Sequence, residues 1–123
     1  MGVTVVFNER IGILRSGNVI SPKVEEQVRA VIFRLEDRWQ LSLTEEKGGR
    51  LVTHLAMALA RIEKGDEISA PEEDQLGEFR SLSVFEEAVK IVEDIIEFAP
   101  ITLPEAEKGY MILNICLILD DIE

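Results

Sequence analysis

The sequence predicts an all-α protein, and three observations lead to that prediction. Four segments carry apolar residues at a spacing of three or four, which places them on one face of a helix. Residues that suit a helix N-cap precede those segments, and Gly65 and Pro100 follow two of them as expected at helix ends. A pattern that favours a strand is confined to Val3–Phe7.

The first twenty residues are predicted to form a segment distinct from the rest. The strand pattern at Val3–Phe7 is followed by a short helix at Asn8–Arg15, and Gly17 ends it. We therefore predict an N-terminal segment with a short helix over residues 1–20 and a single helical domain over 21–123.

The first two long helices are predicted from their caps. Ser21 is a suitable N-cap with Pro22 at the first helical position, and Ser42 with Glu45 forms a capping box. Gly65 ends the second of these helices. Their apolar stripes consist of Val24, Val28, Val31 and Leu35, and of Leu51, Leu55, Ala58 and Ile62.

An acidic connector at 66–82, with room for one short helix, separates these two helices from the next pair. Ser83 and Glu86 form a second capping box before the apolar stripe of the third long helix, which ends before Pro100. That stripe consists of Phe85, Ala88, Val92 and Ile95.

The last helix is predicted from a third capping box. Thr102 and Glu105 form it, with Pro104 between them, and the helix extends to about Ile122. Its apolar content exceeds what one buried stripe needs, so we expect the chain to form a homodimer.

A faint internal repeat relates the two pairs of helices. At an offset of 60 residues, Leu43 corresponds to Leu103 and Gly49 to Gly109. Two pseudo-symmetric helical hairpins would then pack together, because each alone leaves an apolar stripe uncovered. Asn114 occupies the position of His54 in the second hairpin.

Composition excludes several classes of function. The chain has 24 acidic and 13 basic residues and a net charge of −11, which disfavours binding to nucleic acid or to an anionic membrane. A single cysteine, Cys116, excludes an intrachain disulfide and a cysteine zinc cluster. We expect no cofactor, no metal and no catalytic activity. No signal peptide or membrane-spanning run is recognised, so a cytoplasmic location is expected.

His54, the only histidine, is the main candidate functional residue. The helical repeat places Lys47, Arg50 and Arg61 on the same stripe as this imidazole. Cations around a histidine disfavour metal binding, but they suit a histidine that accepts a phosphoryl group, because arginine forms bidentate hydrogen bonds with phosphate. The alternative is that these cations pair with acidic residues of neighbouring helices.

Two segments resemble the signatures of phosphotransferase-system regulation domains, or PRDs. Residues 48–62, Gly-Gly-Arg-Leu-Val-Thr-His-Leu-Ala-Met-Ala-Leu-Ala-Arg-Ile, resemble the family's "His-Leu…Ala-Ile…Arg-Leu" helix. Residues 103–115, Leu-Pro-Glu-Ala-Glu-Lys-Gly-Tyr-Met-Ile-Leu-Asn-Ile, resemble its "Pro-Glu-x-Glu-x-x-Tyr-x-x-x-His-Ile" signature. The resemblance spans about residues 20–122.

This resemblance implies a dimeric five-helix bundle whose histidines receive phosphate from phospho-HPr or an enzyme II B component. In larger family proteins such domains control transcription antiterminators or activators. His54 matches the first histidine of the family, whereas Asn114 replaces the second and cannot form a stable phosphoramidate. Asn114 and Glu107 therefore mark a degenerate second site, at which Asn114 is expected to be a hydrogen-bonding structural residue.

The sequence is compatible with two other functions besides that of a regulatory domain that acts through a partner protein. One is an acidic helical adaptor or scaffold that binds a partner without being phosphorylated. The other is a small enzyme with His54 as general base, for which the sequence places no second catalytic group nearby.

Overall fold

Five α-helices form the described part of the chain, as expected for an all-α fold. The computed structural model describes residues 2–41, 43, 45–65 and 83–119, without the side chains of 2–6, 46 and 47. Within those residues there is no strand. The helices are α1 (Gly2–Ser16), α2 (Pro22–Asp37), α3 (Glu45–Glu63), α4 (Phe85–Phe98) and α5 (Glu105–Leu119).

The predicted helix at Asn8–Arg15 is confirmed but begins earlier, and the strand pattern at Val3–Phe7 is wrong, because α1 is one continuous helix from Gly2 to Ser16. Phe7 and Ile11 lie one turn apart and are both buried in the core, so this segment packs with helical periodicity. Tertiary packing thus overrides the β-propensity of the first residues. Since α1 packs against α2 and α3, it adds to the bundle core; the division of the chain at residue 20 stays a prediction.

Two predicted helix boundaries are confirmed by hydrogen bonds. Ser21 is the N-cap of α2, and its side-chain oxygen accepts a bond of 3.2 Å from the backbone N–H of Val24. After α3, the backbone N–H of Gly65 donates to the backbone carbonyl of Ile62 over 3.0 Å. Gly65 has a φ of +82°, a left-handed conformation that favours glycine. The capping residue predicted for α3, Ser42, lies outside the described residues.

Two other capping boxes are wrong. The N-cap of α4 is Val84, which makes no side-chain capping bond, so the helix begins one residue later than Ser83 would require. For α5, the first helical bond runs from the N–H of Lys108 to the carbonyl of Pro104 over 3.0 Å. Because a proline keeps the preceding residue extended, Thr102 lies too far before the helix to cap it. Leu119 is the last described residue of α5, so the predicted end at Ile122 lies outside the described residues.

The helices pack as two hairpins placed against each other. Helix α2 packs on α3 and α4 on α5, and the hairpins meet where α2 contacts α4 and α3 contacts α5. The helices that the repeat relates are therefore the ones in contact between hairpins. Their largest fully buried apolar side chains include Leu35, Leu51, Leu55, Ile91, Ile95, Met111 and Ile115.

An ion pair joins α2 to α4 at the edge of the bundle. Arg34 Nε and Nη2 donate to the two carboxylate oxygens of Asp94 over 2.8 and 2.9 Å, and Trp39 Nε1 donates to the same carboxylate over 2.9 Å. The hydrogen bonds from Arg34 are the main cause that lowers the pKa of Asp94 from 3.8 to about 2. The pair therefore stabilises the contact between hairpins while Asp94 is ionised.

Two glycines lie where α1 meets the beginning of α3, and one of them is needed for the contact. A Cβ on Gly48 would lie 2.7 Å from Phe7 Cζ and 2.9 Å from Leu43 Cβ, whereas one on Gly49 would lie 3.2 Å from Arg10 Nη2. The absence of a side chain at Gly48 therefore permits Phe7 to pack on α3. Across the helices of the described ranges, none is long and apolar enough to cross a membrane.

Candidate functional site

A carboxylate from α5 meets two side chains of α3. His54 Nε2 lies 3.2 Å from Glu107 Oε1, and Arg61 Nη2 donates to Glu107 Oε2 over 3.3 Å. The side chain of Glu107 is only 2% exposed, whereas those of His54 and Arg61 are 25% and 34% exposed. One buried anion is thus held by two groups that reach solvent.

Helix geometry explains why these three residues meet. His54 and Arg61 are seven residues apart on α3, so they share one face of the helix. Glu107 lies in the first turn of α5, where the helix dipole favours a negative charge. Burial of a carboxylate is costly unless hydrogen-bonded partners compensate, and the contact of α3 with α5 supplies two such partners.

Tyr110 forms a second contact between α5 and the imidazole. The centroids of the Tyr110 and His54 rings are 5.2 Å apart, and the angle between the ring planes is 46°. One turn further along α5, Asn114 Nδ2 donates to the backbone carbonyl of Tyr110 over 2.9 Å. Glu107 and Tyr110 thus line the α5 side of the site, while Asn114 bonds within its own helix.

Two sites were predicted from the sequence, and the structure brings residues of both together. Arg61 is near His54 but bonds Glu107, and Arg50 is exposed one turn before His54 on α3. The side chain of Lys47 lies outside the described residues. Glu107, assigned from the sequence to a second, degenerate site together with Asn114, has its carboxylate against His54. The functional role of each residue stays a prediction.

The contact between His54 and Glu107 was not predicted from the sequence. A stripe of cations in a chain of net charge −11 requires an acidic partner, but many carboxylates fit that description. Glu107 differs from the other described acidic residues in being buried, but that difference appears only in the folded bundle.

The chemistry available at the site is that of an imidazole positioned by a carboxylate. Among the described residues, no group of three or more histidine, cysteine, aspartate or glutamate side chains has the arrangement to hold a metal ion. A partly exposed imidazole can act as a nucleophile, and a carboxylate on one ring nitrogen determines which nitrogen keeps the lone pair.

Comparison with known proteins adds four findings. A model of the PRD domain family matches residues 29–116. An uncharacterized protein of Haemophilus influenzae is 32% identical over 100 residues, which cover 78% of this chain and 80% of that protein. The uncharacterized protein YhfY of Escherichia coli is 26% identical over 106 residues, covering 86% of this chain and 88% of its own. No solved structure matches the chain.

Proposed function

The chain belongs to the PRD domain family, and we propose that it is a regulatory domain, not an enzyme, that is controlled by phosphorylation of His54. The phosphoryl donor is phospho-HPr or an enzyme II B component of the sugar phosphotransferase system, which places the protein in the cytoplasm. Phosphorylation then changes how the domain interacts with a protein that controls transcription in carbohydrate metabolism.

The observation that supports this proposal best is the state of the His54 side chain. It is 25% exposed, so a donor protein can reach one edge of the ring, and the contact with Glu107 fixes its orientation. His54 also stands at the position of the first histidine in the family signature. An oriented and accessible imidazole is what phosphoryl transfer between histidines requires.

The charges around His54 suit a phosphorylated imidazole. A phosphoryl group brings close to two negative charges, which arginine guanidinium groups stabilise through hydrogen bonds. Arg50 is exposed on the same face of α3 as His54, and Arg61 lies two turns further along. Arg61 already shares the carboxylate of Glu107 with His54, so phosphorylation places a second anion beside an existing ion pair.

Phosphate transfer assays test the proposal. The protein is incubated with enzyme I, HPr, phosphoenolpyruvate and candidate enzyme II B proteins, and acid-labile, alkali-stable phosphate is measured. We expect one phosphoryl group per chain, lost in His54→Gln. In a protein carrying both His54→Gln and Asn114→His we expect no labelling, because Glu105–Leu119 of α5 contains no arginine that could pair with a phosphoryl group, whereas α3 carries Arg50 and Arg61.

Each unfavourable outcome has a distinct meaning. Absence of phosphate on the wild-type protein with every donor would contradict the proposal and favour the adaptor that is not phosphorylated. Efficient labelling at position 114 would leave the function intact, but it would show that only the imidazole was missing from the second half of the repeat.

The proposal includes a homodimer, and an exposed aromatic pair supports it. Phe33 on α2 and Phe98 on α4 are 57% and 40% exposed, and their rings stack with centroids 6.4 Å apart. Large apolar groups exposed side by side favour an interface. Light scattering should give twice the chain mass of 13.9 kDa. Phe33→Asp should lower that mass, whereas Gln40→Asp, which adds the same charge at another exposed position, should not.

A further inference from the structure

We propose that Glu107 selects the ring nitrogen of His54 that is phosphorylated, by holding the Nε2 hydrogen so that Nδ1 receives the phosphoryl group. This inference rests on the proposed function, because it assumes that His54 is an acceptor. It goes further in assigning the atom that reacts and the residue that makes the choice.

The hydrogen bond between the two side chains determines the tautomer. An ionised carboxylate can only accept hydrogen bonds, so a contact of 3.2 Å between Glu107 Oε1 and His54 Nε2 requires a hydrogen on Nε2. Arg61, a permanent cation, donates to the other carboxylate oxygen of Glu107. A neutral imidazole has one N–H group, so its nucleophilic lone pair is then on Nδ1.

Space and charge at Nε2 lead to the same assignment. This nitrogen faces a side chain that is only 2% exposed and lies at hydrogen-bond distance, so a phosphorus atom cannot approach along that direction while Glu107 stays in place. A phosphoryl group on Nε2 would also set its anionic oxygens against the carboxylate, which is unfavourable in a partly buried site. Nδ1 lies on a different edge of the ring from Nε2.

The transfer step follows from this arrangement. The Nδ1 lone pair of His54 attacks phosphorus and forms a P–N bond. The P–N bond to the donor histidine breaks, its electron pair stays on the donor nitrogen, and that nitrogen takes a proton from solvent. The ring of His54 becomes cationic and keeps its Nε2 hydrogen, which Glu107 continues to accept. Glu107 therefore orients the ring and stabilises its developing positive charge, as a positioning residue that does not touch phosphorus.

The first test needs no phosphate. Because His54 is the only histidine, nitrogen-15 NMR of the labelled protein reports its tautomer without assignment of other rings. We expect the Nε2–H form in the wild-type protein. In Glu107→Gln, Arg61 can bond the amide oxygen, so the amide NH₂ faces His54 and should reverse the tautomer to Nδ1–H. An Nδ1–H tautomer in the wild-type protein would overturn the inference.

The second test reads the phosphorylated atom directly. Potassium phosphoramidate transfers its phosphoryl group with release of ammonia, so no protein donor is needed, and phosphorus–proton correlation NMR separates the two phosphohistidine isomers. We expect the Nδ1 isomer in the wild-type protein. In Glu107→Ala we expect the ratio of Nδ1 to Nε2 isomer to fall about tenfold or more, the factor that a hydrogen bond to a charged group supplies.

Glu105→Ala is the matched control, because Glu105 is an acidic residue in the same first turn of α5 with a side chain that is 94% exposed. It should leave the isomer ratio unchanged. The Nε2 isomer as the main product in the wild-type protein would overturn the inference and leave the proposed function in place. If neither phosphoramidate nor any protein donor labels His54, the proposed function fails, and the tautomer measurement still decides what Glu107 does to the ring. The wild-type measurements do not depend on whether a variant folds.

Discussion

Replacement of Gly48 by alanine should destabilise the protein, although the same change in an ordinary helix would stabilise it. Gly48 lies inside α3, where alanine is favoured over glycine by about 1 kcal/mol. The added Cβ, however, would lie 2.7 Å from Phe7 Cζ and 2.9 Å from Leu43 Cβ. Phe7 and Leu43 are 1% and 0% exposed, so neither side chain can move into solvent.

The magnitude follows from the balance of these two effects. Forcing an extra methyl group into a packed core costs about 1–3 kcal/mol, and the gain in helix propensity offsets about 1 kcal/mol of it. We expect Gly48→Ala to lower the free energy of unfolding by about 1 kcal/mol. A Cβ added at Gly49 would have the end of the Arg10 side chain as its nearest neighbour, at 3.2 to 3.5 Å. That flexible guanidinium can give way, so Gly49→Ala should raise the free energy of unfolding by up to about 0.5–1 kcal/mol.

Urea denaturation followed by circular dichroism and by the fluorescence of the single tryptophan, Trp39, measures both variants. The two alanine variants should differ by about 2 kcal/mol, with Gly48→Ala the less stable. In a Phe7→Ala background, part of the penalty at Gly48 should disappear. Equal stability of the two variants would refute the packing of Phe7 on α3 described here.

Three further predictions concern charge and capping. The pKa of Asp94 is lowered from 3.8 to about 2, chiefly by Arg34, so the contribution of Asp94 to the free energy of unfolding is present above about pH 4 and is lost between pH 4 and 2. After allowance for solvent screening this contribution is about 1 kcal/mol. Asp94→Asn should abolish this pH dependence in denaturation curves. Arg61→Met should lower the free energy of unfolding by about 2 kcal/mol, because it leaves the buried carboxylate of Glu107 with one partner; an unchanged urea midpoint would contradict this. Ser21→Ala should cost about 1 kcal/mol through loss of the N-cap bond of α2, visible as a lower melting temperature.

Local signals in the sequence were enough to locate most of the helices. The cap at Ser21 and the ending at Gly65 depend on residues within one or two turns, so their chemistry can be recognised without the fold. The shared stripe of His54 and Arg61 is equally local, since both lie on α3 at helical spacing. Only Val3–Phe7 was mistaken for a strand, because its β-branched residues favour extended structure, whereas burial of Phe7 and Ile11 against α2 and α3 requires a helix.

The partner of His54 depended on packing between helices. His54 and Glu107 are 53 residues apart, and their contact exists because α3 lies against α5 at a particular rotation of each helix. Periodicity defines the apolar face of a helix, but it does not define which residue of the opposing helix stands across from each position. The burial that distinguishes Glu107 from other acidic residues therefore arises only in the folded bundle, where the same contact gives His54 its orientation.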